Sequence, residues 1–134
     1  MDRIFMKNII AALLLTSFVA PALSTTIHLK CEGDRDSDII SLTVTLNEET
    51  KKIVHQERGG AVLETNGKFT SEAVTYKELI KPPGIEHGMT HTYTIDRMDL
   101  SFKKITTIDW DVLAGESSTD YATCKLVDAP KKAF

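Results

Sequence analysis

The chain holds little of what most catalytic motifs need. It has two cysteines, one tryptophan and four histidines in 134 residues. No Gly-x-Ser-x-Gly, no phosphate-cradling glycine loop ending in Lys-Ser/Thr and no His-Glu-x-x-His occurs. The nucleophile elbow, the nucleotide loop and the zinc-hydrolase helix are therefore absent as local motifs. The expectation is a protein that is not an enzyme and has no cofactor. Basic charge is not in excess either: 16 Lys and Arg stand against 19 Asp and Glu, for a net charge of −3. That balance argues against nucleic acid, which rewards a basic face, and gives no pull toward anionic membranes. Beyond the first residues no apolar run approaches the roughly 20 residues that span a bilayer, so no membrane span is expected there. No helical stripe is visible there.

What is present begins with a leader of bacterial style. Arg3 and Lys7 give a basic start, Ile9 to Ala20 is an almost uncharged apolar run, and Ala22 and Ser24 supply the small residues that signal peptidase reads. Residues 1–24 read as a signal peptide cleaved after Ser24, with Met6 an equally good start. Lys30 before Cys31 excludes a lipid-attachment box. Residues 25–134 then form one modest β domain, periplasmic or secreted. In an oxidising compartment Cys31 and Cys124 are most simply a disulfide. Neither sits in a Cys-x-x-Cys, which disfavours a redox or metal-bound pair.

After the leader the period is two. Ile27, Leu29 and Cys31 share one face of a first strand, and Ile40, Leu42, Val44 and Leu46 alternate with Ser41, Thr43 and Thr45. Asn47 to Thr50 is a polar turn before a return strand over 51–57. Asn66-Gly67, between Ala61–Thr65 and Lys68–Ser71, has the chemistry of a type I′ hairpin. Val74 and Tyr76 lie in a strand that Pro82-Pro83 stops. Tyr93 and Ile95 lead into a turn at Asp96–Asp99, and Leu100 to Ile108 returns. Asp109 to Leu113 reads as a strand or a bend, 114–119 as a Gly/Ser-rich loop, and Tyr121 to Val127 as the last strand, with Ala122, Cys124 and Leu126 on one face. The expectation is an all-β antiparallel meander of about eight strands, one disulfide joining its terminal strands. A closed barrel is preferred to a two-sheet sandwich, because closure removes exposed edges.

One phrase occurs twice. Thr43-Val-Thr-Leu-Asn-Glu-Glu-Thr precedes Lys51-Lys52-Ile53, and Thr92-Tyr-Thr-Ile-Asp-Arg-Met-Asp precedes Lys103-Lys104-Ile105. Duplication and shared hairpin grammar both explain it. Asp96-Arg97 then fills the turn position of Asn47-Glu48, which favours a hairpin corner over a recognition site. Leu29-Lys30-Cys31-Glu32-Gly33, Tyr93-Thr94-Ile95-Asp96-Arg97 and the closing Cys124 resemble a diffuse group of small exported bacterial proteins without assigned function. Members often carry Thr-Gly after the arginine, where this chain has Met98-Asp99. Periplasmic lysozyme inhibitors are similar in format alone, as small exported disulfide-stapled β-barrels.

The loop Pro82 to His91 is the best binding candidate, through Glu86, His87, Met89 and His91; His87 and His91 are a weak alternative metal pair, which His28 and His55 join only if the fold brings them over. Trp110, between two aspartates, and Tyr76, Tyr93 and Tyr121 read chiefly as core, with an exposed Trp110 suited to a protein partner. The functional expectation is a binding or inhibitory module that docks a macromolecule, a protein or envelope component, through its loops. The alternative is a carrier of a small ligand or metal at the barrel mouth. A cavity beyond about 300 Å³ favours the carrier and a filled interior the module.

Overall fold

The computed structural model describes residues 26–84, 88–109 and 116–129. The leader, Glu86, His87 and Trp110 lie outside the described residues. Alternating β-branched, aromatic and polar residues form nine antiparallel strands, with no helix among the described residues. They are β1 (Thr26–Gly33), β2 (Ser41–Asn47), β3 (Lys52–Glu57), β4 (Val62–Asn66), β5 (Lys68–Phe69), β6 (Ala73–Ile80), β7 (Met89–Asp96), β8 (Ser101–Ile108) and β9 (Glu116–Val127). They pair in the order β4-β3-β2-β1-β9-β8-β7-β6-β5. Because β4 runs directly into β5, this single sheet curls into a nearly closed barrel.

The joint between β4 and β5 corrects one expectation. Asn66-Gly67 is not a hairpin: neither residue has a positive φ, and β4 and β5 do not pair with each other. Residues 62–69 instead make one bent strand that leaves the ladder of β3 and joins that of β6. Gly67 is required for packing, because a Cβ there would run into the Ile53 side chain. The barrel closes over Ile53 for want of that one carbon.

Cys31 and Cys124 face each other across β1 and β9 and form the expected disulfide. Other differences lie at the ends of strands. Glu116 to Thr119, read as loop, extend β9, because β8 is long enough to pair with them from Ile105 to Ile108. Met89 and His91 belong to β7 and not to a loop, paired to Ile80 and Glu78 on one side and to Ile108 and Thr106 on the other. Tyr121 is exposed, since Ala122 and Cys124 take the inward places of β9. Leu126 follows them inward but sits at the open end of the barrel and is 65% exposed.

The doubled phrase has a structural basis. Ile27 faces Leu46 and Leu46 faces Ile53; Val74 faces Ile95 and Ile95 faces Phe102 in the same way. Each hairpin turns through a left-handed residue, Lys51 at φ 63° and Leu100 at φ 60°. The carbonyl of each accepts a hydrogen bond from the next strand, from Gly67 N at 2.9 Å and from Cys124 N at 3.0 Å. The halves β1–β4 and β6–β9 are thus built in one register. The Lys-Lys-Ile part of the echo is coincidental, because Ile53 corresponds to Phe102 and not to Ile105.

Leu29, Val44, Ile53, Val74, Ile95 and Phe102 fill the middle of the barrel and are almost fully buried. Each such side chain contributes roughly 1.5–3 kcal/mol by leaving water. No helix among the described residues is long and apolar enough to cross a membrane.

Candidate functional site

The two repeated turns lie at the same end of the barrel, and an apolar pocket opens between them. Its volume is about 210 Å³. The floor is Leu29, Leu46, Val74 and Ile95, the walls include Ile27, Phe69, Leu100 and Leu126, and Glu48 and Arg97 stand at the rim. The two halves line it with corresponding residues: Ile27 with Val74, Leu46 with Ile95, Glu48 with Arg97.

Asp96 makes the turn that aims Arg97. Its carboxylate accepts from Met98 N at 2.7 Å and from Asp99 N at 3.3 Å, and its carbonyl accepts from Leu100 N. Arg97 N donates to Glu72 O, which ties the turn to the start of β6. The guanidinium then reaches across the pocket. Nη1 donates to Glu48 Oε1 at 2.9 Å and to Thr70 O at 2.7 Å, and Nη2 donates to Glu48 Oε2 at 3.1 Å. Hydrogen bonding to Arg97 lowers the Glu48 carboxyl from its ordinary value, and Glu48 raises Arg97 in return. The pair is partly exposed, with side chains 29% and 42% accessible. Asp96-Arg97 is a hairpin corner, and its arginine also bridges the two halves.

The other half of the interior is polar and aromatic. Tyr76 and Tyr93 stack with ring centroids 4.8 Å apart, and His55 lies 4.6 Å from the Tyr93 ring. His55 Nδ1 is 2.7 Å from Tyr76 Oη and its Nε2 is 3.4 Å from Glu57. Since a carboxylate only accepts, Nε2 carries the proton and Nδ1 accepts from the tyrosine hydroxyl. Tyr93 donates to Glu78, and His91 Nδ1 sits 2.9 Å from Thr106 Oγ1. Burial lowers both histidines and raises both tyrosines. No buried side-chain nitrogen or oxygen lacks a partner among the described residues. The hydrogen bonds of this network run among its own aromatic, histidine and glutamate side chains and to Thr106.

The fold does bring His55 and His91 over the same tyrosine, but each ring nitrogen named above already has a partner. Among the described residues no group of three or more His, Cys, Asp or Glu is placed to hold a metal ion. Met89 is half-buried in β7, away from the turn end. A groove of about 310 Å³ on the outer face of β1 and β9 is larger than the pocket. It runs between Lys30, Glu32, Asp34, Thr123 and Lys125, whose heads are solvated, so the end pocket has more apolar surface to offer.

Glu48, Phe69, Thr70 and Leu126 were not among the sequence candidates. A signal for Glu48 existed: the repeated phrase carries opposite charges at one turn position. Phe69 and Thr70 gave none, because the bend at Gly67 carries them there. Comparison of the chain with protein families, curated proteins and solved structures finds no match.

Proposed function

We propose that this chain is an exported, non-catalytic binding or inhibitory module, which docks a protein partner through the turn end of its barrel. One apolar side chain of the partner enters the pocket between the two turns, and the Glu48–Arg97 pair supplies a polar rim. The observation that carries this reading is the pocket itself, an apolar floor opening beside a fixed guanidinium. Arginine is among the residues enriched at binding hot spots, which cluster in well-packed, desolvated pockets. Met98, 86% exposed on the same turn as Arg97, and Leu126 add apolar surface around the mouth.

The carrier reading fares worse on size. Pockets for drug-sized ligands occupy roughly 300–1,000 Å³; the pocket at the turn end is about 210 Å³, the groove of about 310 Å³ is a solvated outer face, and the barrel middle is filled by packed side chains. The disulfide suits an oxidising, exported location.

The test uses immobilised protein to capture envelope and secreted proteins, in parallel with Val74→Phe and Leu46→Phe, which fill the pocket. The reading requires a partner that the parent protein retains and both variants lose while keeping their β-sheet circular dichroism. Partners held equally by all three proteins would show that docking lies elsewhere.

A further inference from the structure

Resting on that reading, we propose that the pocket receives the C-terminal residue of a partner polypeptide, its apolar side chain on the floor and its free carboxylate on Arg97. One half of the ion pair is anchored and the other is not. Arg97 is held by its main chain to Glu72 O and by its side chain to Thr70 O, independently of Glu48. Glu48 stands on an exposed turn, and the side-chain bonds described for it run to Arg97 alone. Glu48 is therefore the half that moves. Partly exposed ion pairs hold little net free energy, so its departure is cheap, and Lys51, whose charge already acts on Glu48, remains beside it.

What replaces Glu48 must offer the same two oxygens. Arginine takes a carboxylate in two parallel hydrogen bonds, and a ligand carboxylate conserves both the charge and the bonds. The pocket sets the rest of the ligand. A cavity of about 150 Å³ lined by apolar side chains holds one benzene, so about 210 Å³ suits a single phenylalanyl or leucyl side chain. A long acyl chain needs more room. Arg97 at the rim lines the same small pocket as Ile95 in the floor and Leu100 in the wall, so the carboxylate and the apolar group of the ligand must lie close together. A polypeptide end carries both on one carbon, and capture of such an end is an established mode of recognition.

The test is a titration followed by fluorescence anisotropy. The probes are a short N-acetylated peptide ending in phenylalanine with a free carboxylate, the same peptide amidated, and octanoate as competitor. The free acid is expected to bind about tenfold tighter than the amide, as a two-bond charged contact implies. Glu48→Gln should tighten the acid several-fold and leave the amide unchanged, because the internal competitor is weakened. Arg97→Gln should abolish the difference between acid and amide. Equal binding of acid and amide by the parent protein, with both lost in Val74→Phe, would overturn the carboxylate inference and leave the pocket reading standing. Failure of both peptides to bind would remove both. Octanoate binding tighter than the peptide acid would replace the polypeptide end with a lipid and overturn the proposal.

Discussion

Glu48 and Arg97 hold the same place in two turns of one register, and they bond to each other across the end of the barrel through both carboxylate oxygens. Like charges at these positions would repel over the pocket, whereas opposite charges tie the halves together. Glu48→Arg should therefore lower the melting temperature by setting two guanidiniums face to face. Adding Arg97→Glu should recover part of the loss. Recovery stays partial, because Thr70 O, which accepts from Arg97, offers nothing to a carboxylate. Thermal melts of the three variants check this, and a double variant no better than Glu48→Arg would contradict it.

Three neighbours in one hairpin should rank by what each side chain does. Ile95 is 1% exposed and faces Val74 and Phe102, so Ile95→Ala should cost about 2–5 kcal/mol. Asp96→Ala removes two bonds to turn amides and should cost about 1 kcal/mol. Arg97→Ala should cost the least, since its guanidinium is partly solvated. Urea unfolding of the three variants gives the order directly. Arg97→Ala as the costliest change would make the arginine a structural strut.

How far these features were legible in the sequence follows from the range over which each is encoded. The period-two runs at 27–31, 42–46 and 91–95 specify strands locally, so the all-β class and the inward faces of Leu29, Val44 and Ile95 could be read directly; Ile40, in phase with Leu42, lies just before β2 and is 73% exposed. The Cys31–Cys124 pairing was legible because they are the two cysteines of a chain read as exported, and the alternation put both on inward faces. Gly67 could not be read, because the reason for that glycine is Ile53, which only the ladder between β3 and β4 brings beneath it. Chemistry local to Asn66-Gly67 favoured a turn, and tertiary packing overrode it. Glu116 to Thr119 were missed likewise, since nothing in Glu-Ser-Ser-Thr favours a strand until β8 lies alongside. The pocket was half visible: Arg97 came from the motif, while Phe69 and Leu126 reach the rim only through closure of the barrel.

The disulfide closes a sequence separation of 93 residues. Loop-closure entropy for a loop of this length contributes about 4–5 kcal/mol, less any strain. The double variant Cys31→Ala with Cys124→Ala should lower the urea midpoint accordingly. Thiol labelling of denatured, unreduced protein should find no free cysteine. Two labelled thiols would remove the covalent link between β1 and β9.

Acid should loosen the aromatic half of the barrel. His55 and His91 titrate below their ordinary value because burial penalises their charged forms; Lys104 opposes protonation, and Glu57 and Glu78 favour it. With pKa lowered by folding, the unfolded chain binds more protons as pH falls below about 6.5. Stability contributed by the two neutral rings is thus complete above that pH and declines below it, by up to about 1.4 kcal/mol per pH unit for each histidine. Urea midpoints from pH 7.5 to 5 should fall less in His55→Gln than in the parent protein. An identical slope in the two proteins would mean that His55 does not contribute to the acid response.

Docking at the turn end is checked by methyl NMR of the labelled protein titrated with the phenylalanine-ended peptide acid. The methyl signals of Ile27, Leu46, Val74, Ile95, Leu100 and Leu126, which line the pocket, should shift together and saturate at one affinity. Those of Leu79, Ile80 and Met89, at the opposite end, should stay in place. Shifts confined to that opposite end would contradict it.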